Sequence, residues 1–310
     1  IRVNGLTLHY ESRGDPAAPP ILLIMGLGVQ MILWPEALID GLVARGFRVV
    51  RFDNRDVGFS THLDELGMPN IPLAYVKFLM RLPLNAPYLI EHMAEDTAHL
   101  IDALGLGRPH VVGASMGGMI GQNLAAQFPG KVATLTSIMS TTGRRSLPKP
   151  QWRALRAILS PPGNDVESAT QRMMAVLTTI GSRTHPTDRA VLREFCERHV
   201  RRSYNPAGGA RQLMAIAASD DRSELVRTIR APTLVLHGDE DPLVPLEAGR
   251  DTAQRINEGG GSATLKVIRG MGHDFPAPLI PGIVEDIALF CRAHPPPPTE
   301  AATPGDKIGP

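Results

Sequence analysis

The stretch His110-Val111-Val112-Gly113-Ala114-Ser115-Met116-Gly117-Gly118-Met119 decides how the rest of the chain is read. Its first part is apolar and β-branched, the mark of a strand buried on both faces. From Met116 to Phe128 the pattern turns helical, with small residues at Gly117, Gly118 and Gly121. Between the two lies Gly113-Ala114-Ser115-Met116-Gly117, a G-x-S-x-G turn. A strand that bends this sharply into a helix is strained, and small flanking residues let the two elements approach. The serine at the apex then stands above the carboxyl edge of a sheet. It lies beside a helix N-terminus, where the Met116 N–H can stabilise a developing oxyanion.

Working outward, the same alternation recurs. Ile21 to Met25 is a continuous apolar run closed by Gly26-Leu27-Gly28, and Phe47 to Phe52 is a second strand ending at Asp53. Helical patterns cover Pro35 to Arg45 and Leu89 to Leu104; Val132 to Ile138 is another strand, and residues 6–11 read as an edge strand. Strands alternating with helices of this length predict βαβ units and a parallel sheet. From Ser140 to about Arg222 there are helical stretches and Pro-rich breaks but no convincing strand. Pro232 to His237 and Ala263 to Arg269 restore the strand rhythm, and Ile283 to Ala293 is a last helix. The expected fold class is therefore α/β, a mostly parallel central sheet flanked by helices, with an inserted helical cap. Residues 1–140 and 223–294 would form the body and 141–222 the cap. Residues 295–310, with six prolines, would form a disordered tail. Leu73 to Leu82, fenced by Pro72 and Pro83, is expected to pack against the body; the alternative is that it edges a substrate entrance.

Composition narrows the function classes. The chain has 310 residues and a formal net charge of +1, which gives no overall drive toward nucleic acid or anionic membrane. The insert is locally basic, with fourteen Arg and Lys against seven Asp and Glu, and reads as a solvated lid surface. The longest apolar stretch, Ile21 to Val29, is far short of the about 20 residues a transmembrane helix needs. Ile1-Arg2-Val3-Asn4 shows neither the charged region nor the apolar core of a signal peptide, so the expected location is cytoplasmic. Cys196 and Cys291 read as two independent buried thiols, and their surroundings lack zinc-site spacing, so no metal is expected. A homodimer is compatible with the sequence but not specified by it.

A serine hydroxyl is a weak nucleophile until a base takes its proton, and the base needs an orienting acid. With a G-x-S-x-G serine, both follow later in the chain, acid before histidine. Among ten histidines, His273 in Gly270-Met271-Gly272-His273-Asp274 sits on a glycine-flanked loop just past a strand. The acid lies in Gly238-Asp239-Glu240-Asp241-Pro242, beyond the strand ending at His237. Only one of these three neighbours can face the histidine. Asp241 is favoured, Asp239 reads as a turn cap, and His237 as a packed core histidine. Met25, Met31, Met116 and Met119 near the serine suggest a soft apolar pocket, with Met25, Gly26, Met31 and Met119 as candidate substrate contacts.

Taken together, Met25-Gly26, Asp53-x-Arg55-x-x-Gly58-x-Ser60, Gly113-x-Ser115-x-Gly117, Gly238-x-x-Asp241 and Gly272-His273 resemble the α/β-hydrolase superfamily, over the chain up to about residue 294. The resemblance implies Ser115 as nucleophile, Asp241 as acid and His273 as base. It also implies an oxyanion hole from the backbone N–H groups of Leu27 and Met116, and neither metal nor organic cofactor. Two departures stand out: Met25-Gly26 where many members have His-Gly, and Asp53-Asn54-Arg55-Asp56 where many have Asp-x-Arg-Gly. Both are similar to an esterase branch that includes the aclacinomycin methylesterases, although no residue here specifies that substrate. Asp53 and Arg55 are expected to form a loop-fixing pair beneath the site. The implied activity is hydrolysis of carboxylic esters of small-to-medium apolar molecules. Amide, lactone, thioester or carbon–carbon hydrolysis, perhydrolysis, and slow-turnover ligand binding fit the same triad.

Overall fold

In the computed structural model, residues 1–296 are described; the expectation of a disordered tail lies outside the described residues from 297 on. The chain opens with a hairpin, β1 (Arg2–Val3) and β2 (Leu6–Thr7), and β3 (Tyr10–Arg13) follows. The strand expected over 6–11 is thus divided between the hairpin and the sheet edge. The body continues through β4 (Pro20–Ile24), α1 (Glu36–Val43), β5 (Arg48–Phe52), α2 (Ile71–Leu79), α3 (Ile90–Ala103), β6 (His110–Ala114), α4 (Met116–Gln127) and β7 (Thr134–Ile138). A helical insertion comes next: α5 (Trp152–Ile158), α6 (Val166–Ile180), α7 (Arg189–Arg202) and α8 (Pro206–Ala218). After the short α9 (Ser223–Val226), the body resumes with β8 (Thr233–Gly238), α10 (Leu246–Glu258), β9 (Ala263–Ile268) and α11 (Ile280–Ala293).

The sheet has seven strands in the order β3-β5-β4-β6-β7-β8-β9. β3 pairs antiparallel with β5, and every other pairing is parallel. Alternating side chains along the strands feed two cores. Leu22, Ile24, Val50 and Val111 pack on the α3 and α4 side, while Ile21, Leu23, Val49 and Val112 pack on the α1 and α11 side.

Two expectations about the body need correction. Asp53 and Arg55 do not pair with each other. Asp53 takes Arg202 of the insertion at 2.8 Å, and Arg55 pairs with Asp96 of α3 at 2.6 Å. Each still fixes the loop after β5, but through a distant partner. The segment 73–82 does not sink into the body either. It forms α2, none of whose residues is buried, and its inner side borders the cavity described below.

Candidate active site

The turn from β6 to α4 is as tight as its glycines suggest. A Cβ at Gly113 would lie 2.2 Å from the Gly117 carbonyl oxygen, and one at Gly117 would lie 2.0 Å from the Ile24 carbonyl oxygen. Ser115 at the apex has φ 56° and ψ −119°, a strained conformation for a residue with a side chain. Its carbonyl oxygen accepts a hydrogen bond from Ser140 Oγ at 2.7 Å.

His273 lies 2.9 Å from Ser115 Oγ through Nε2 and 2.7 Å from Asp241 Oδ2 through Nδ1. With the ring proton on Nδ1, the imidazole donates to Asp241 and accepts from the serine hydroxyl. The other Asp241 oxygen accepts the Leu243 and Val244 N–H groups at 2.9 and 2.8 Å, which fixes the carboxylate plane. The neighbouring acids have other work. Asp239 accepts the Gly270 N–H, and Glu240 accepts the Arg183 and Thr184 N–H groups. His237 is fully buried, with Nε2 2.8 Å from the Val244 carbonyl oxygen, and burial lowers its pKa.

The loop after β4 runs directly over the serine. A Cβ at Gly26 would stand 3.2 Å from Ser115 Cβ and 3.7 Å from Oγ. Met116 opens α4, so its N–H has no carbonyl a turn earlier in the helix. Among the described residues the Leu27 N–H has no hydrogen-bond acceptor either. The next amides of this loop are taken: Gly28 N–H by Gln212 Oε1 at 2.7 Å, Gln30 N–H by His199 Nε2 at 3.0 Å, and Met31 N–H by Asp53 Oδ1 at 2.8 Å. Asn54 donates to the Met25 carbonyl at 3.0 Å. Gln212 and His199 belong to α8 and α7, and no local pattern marks either as part of a site.

The insertion also grips the loop that carries the histidine. His273 N–H donates to the Ile180 carbonyl at 2.8 Å, and Ser182 Oγ accepts the Gly272 N–H at 2.7 Å. Asp274 Oδ1 accepts both the N–H and the hydroxyl of Ser182, while burial holds the Asp274 pKa above its ordinary value.

Ser115 and His273 open into a cavity of about 960 Å³. Its wall is largely apolar and includes Leu27, Trp34, Leu155, Phe195 and Met214. Of the expected substrate contacts, Met25, Gly26 and Met119 line it. Met31 does not: its N–H donates to Asp53 Oδ1, and its side chain is fully buried in the body. The Met116 side chain is likewise buried in the core under the sheet, leaving only its backbone to the site. Among the described residues, no group of three or more His, Cys, Asp or Glu is placed to hold a metal ion. Cys196 and Cys291 are free and buried, and burial pushes both thiols up to about 12.

A mostly parallel sheet with a strained serine at a strand–helix turn, and a histidine and a carboxylate in hydrogen-bonded series with it, matches the architecture of triad hydrolases. The chain belongs to the alpha/beta hydrolase fold family, whose profile matches residues 19–276. It is similar to a rhodomycin D methylesterase from Streptomyces peucetius, at 28% identity over 96% of each chain. It is also similar to a putative carbamate hydrolase from Variovorax paradoxus, at 27% identity over 86% of this chain and 90% of that one. Among solved structures, an enol-lactonase from Burkholderia xenovorans superposes with a TM-score of 0.69 at 22% identity, covering 94% of this chain and 98% of that one. That likeness speaks for the fold alone.

Proposed function

We propose that the protein hydrolyses carboxylic esters of small-to-medium apolar molecules through an acyl-enzyme. The observation that carries this reading is the continuous series Asp241–His273–Ser115, at 2.7 and 2.9 Å, opening onto a largely apolar cavity. Ser115 Oγ attacks the ester carbonyl as His273 Nε2 takes its proton. Asp241 keeps the other ring proton in place and stabilises the imidazolium. The tetrahedral oxyanion sits between the Leu27 and Met116 N–H groups. His273 then protonates the leaving alcohol, and water releases the acid by the reverse sequence. The methylesterase relative cleaves an ester, by its name, which favours ester over amide or carbon–carbon chemistry here.

The test is turnover of a p-nitrophenyl ester series, acetate to palmitate, by the native chain and by Ser115→Ala. Loss of the nucleophile is expected to cost on the order of 10⁶ in kcat, and the chain-length profile sizes the acyl pocket. Activity that survives in Ser115→Ala would remove Ser115 from its role. A native chain inert to every ester would remove the ester assignment.

A further inference from the structure

Helix α2 is apolar on both of its sides. Ile71, Ala74, Tyr75 and Phe78 border the cavity. Leu73, Val76 and Met80, spaced i, i+3 and i+7, share the opposite side and are 52%, 50% and 64% exposed. Met68 and Leu82, beyond either end, are exposed as well. A helix apolar all round ordinarily lies inside a protein, and a contiguous apolar patch in water marks an interaction surface.

The charges around this patch identify what would cover it. Lys77, half-buried, lies one turn on from Leu73 at the edge of this outer side, and the exposed Arg81 follows the helix; among the described residues neither has a carboxylate partner. Across the cavity mouth runs the segment 144–159, which contains five Arg and Lys and no Asp or Glu. Arg144 and Arg145 are paired with Asp251 and Asp220, whereas Lys149, Arg153 and Arg156 have no carboxylate partner among the described residues. Trp152 is 65% exposed there, with the Arg153 guanidinium over its ring at 5.5 Å. Arg81, Leu82 and Arg145 line one small pocket, so the two segments form one continuous rim. On the α2 side, Asp64 and Glu65 precede the helix, with Asp64 3.7 Å from Arg211, and Asp220, which lines the small pocket with Arg81, is paired with Arg145.

A second copy of the chain meeting this patch through a two-fold axis would bring the Lys77 and Arg81 charges of both copies together. An anionic lipid surface takes the apolar side chains and the cations at once: apolar residues enter the headgroup boundary while Lys and Arg reach lipid phosphates. We propose that the rim formed by α2 and residues 144–159 docks on an anionic lipid surface and turns the cavity mouth toward it. The net charge of +1 does not show this, because it sums the whole chain, whereas Lys149, Arg153 and Arg156 stand on the rim without a carboxylate partner among the described residues. The docking stands apart from the ester assignment; only the entry of a lipid-dissolved apolar ester into the cavity rests on it.

The experiment is flotation with vesicles of phosphatidylcholine, with and without phosphatidylglycerol. The full chain carries Ser115→Ala, so lipid cleavage does not enter the readout. The expected result is flotation with the anionic vesicles alone, weakening as salt is added. Lys77→Glu with Arg81→Glu should lower partitioning on the order of tenfold or more. Leu73→Gln, Val76→Gln and Met80→Gln together should abolish it at any salt. In the native background both variants should turn over a short soluble ester at the native rate, which shows them folded. Absence of flotation at low salt would overturn the proposal, as would flotation that both variants leave unchanged. So would a dimer in sedimentation that the Leu73/Val76/Met80 variant dissociates, since a second copy would then be the cover. Failure to cleave esters with flotation intact would strike only the functional assignment.

Discussion

In the sheet body, Ser115, the proposed nucleophile, is placed by its immediate neighbours. Gly113 and Gly117 permit the turn, Ile24 and Ser140 close around it, and the hydroxyl projects as the backbone dictates. The helical insertion supplies no member of the proposed triad, yet its residues hold the loops that bring the other groups to the serine. Gln212 holds Gly28, His199 holds Gln30, Ile180 holds His273, and Ser182 holds Gly272. Arg211 and Asp56, both fully buried and 2.6 Å apart, lock α8 to the body. Burial alone would raise the Asp56 carboxyl, but bonds from Arg211, the Leu63 N–H and Tyr88 outweigh it and hold the group low. The insertion is therefore a brace for the loops that carry the proposed triad as well as a wall of the cavity. Preorganised donors are worth most when they need not move during reaction, so the brace should be visible in kcat.

The comparison breaks most sharply at the body's own carboxylate. Asp241→Asn keeps an acceptor for Leu243 and Val244 but presents the wrong partner to His273 Nδ1. Turnover of a soluble ester should fall by about 10⁴, with the thermal midpoint little changed. A loss below about a hundredfold would show that another group orients the imidazole.

Acid should weaken body and insertion together. Burial pushes both His110, on β6, and His199, on α7, down to about 4 from an ordinary 6.5; His294 and Arg202, respectively, push the same way. Between those values the unfolded chain binds protons that the folded chain refuses, so stability falls as pH drops from 6.5 toward 4. Each histidine contributes on the order of 3 kcal/mol across the window. Urea unfolding at a series of pH values should show this slope, and His199→Gln should make it shallower. An unchanged slope in the variant would mean that His199 titrates normally in the folded chain.

The brace itself is sharpened by Gln212→Leu. The change leaves the Gly28 N–H and the Arg55 carbonyl, both now served by Gln212, without partners. Unpaired buried groups cost about 1–3 kcal/mol each, and here the cost falls on the loop that carries the Leu27 amide. kcat should drop about 10–100-fold with KM little moved, while Gln212→Glu, which keeps the acceptor for Gly28, should retain more activity. Equal kcat in Gln212→Leu and the native chain would reduce the insertion to a cover.

This division also explains what was legible in the sequence. G-x-S-x-G between β6 and α4, and the loops holding Asp241 and His273, carry their signal within a few residues, because turn sterics and strand ends are local. Gln212 meets Gly28 across 184 positions, and no periodicity announces it. Met31 resembled a pocket residue because it follows the loop over the serine, but its N–H donates to Asp53 and its side chain lies in the core. Asp53 and Arg55 resembled a pair because they are neighbours, yet each found a better-placed partner far away. No element is expected from the sequence over α10, where Glu247, Arg250, Asp251, Gln254 and Arg255 stand among few large apolar residues. The parallel pairing of β8 and β9 requires such a crossover.

The smallest effect should come from Ser182→Ala, and it tests whether the brace acts on chemistry or only on stability. Ser182 Oγ accepts the Gly272 N–H and donates to Asp274 at 2.5 Å, just beside the base. Removing it leaves the His273 loop held by the Ile180 carbonyl, so folding should persist and kcat should fall only several-fold, in line with about 1 kcal/mol for a lost hydrogen bond. The more telling readout is pH. Burial already raises the Asp274 pKa, and the Ser182 bonds oppose that rise. Without the hydroxyl bond, the Ser182 N–H bond being kept, Asp274 takes up its proton at a higher pH, and its negative charge beside His273 is lost earlier on acidification. The acid limb of kcat/KM in Ser182→Ala should therefore change shape relative to the native chain, not merely scale down. A uniformly lowered profile of unchanged shape would show that Ser182 only stiffens the loop.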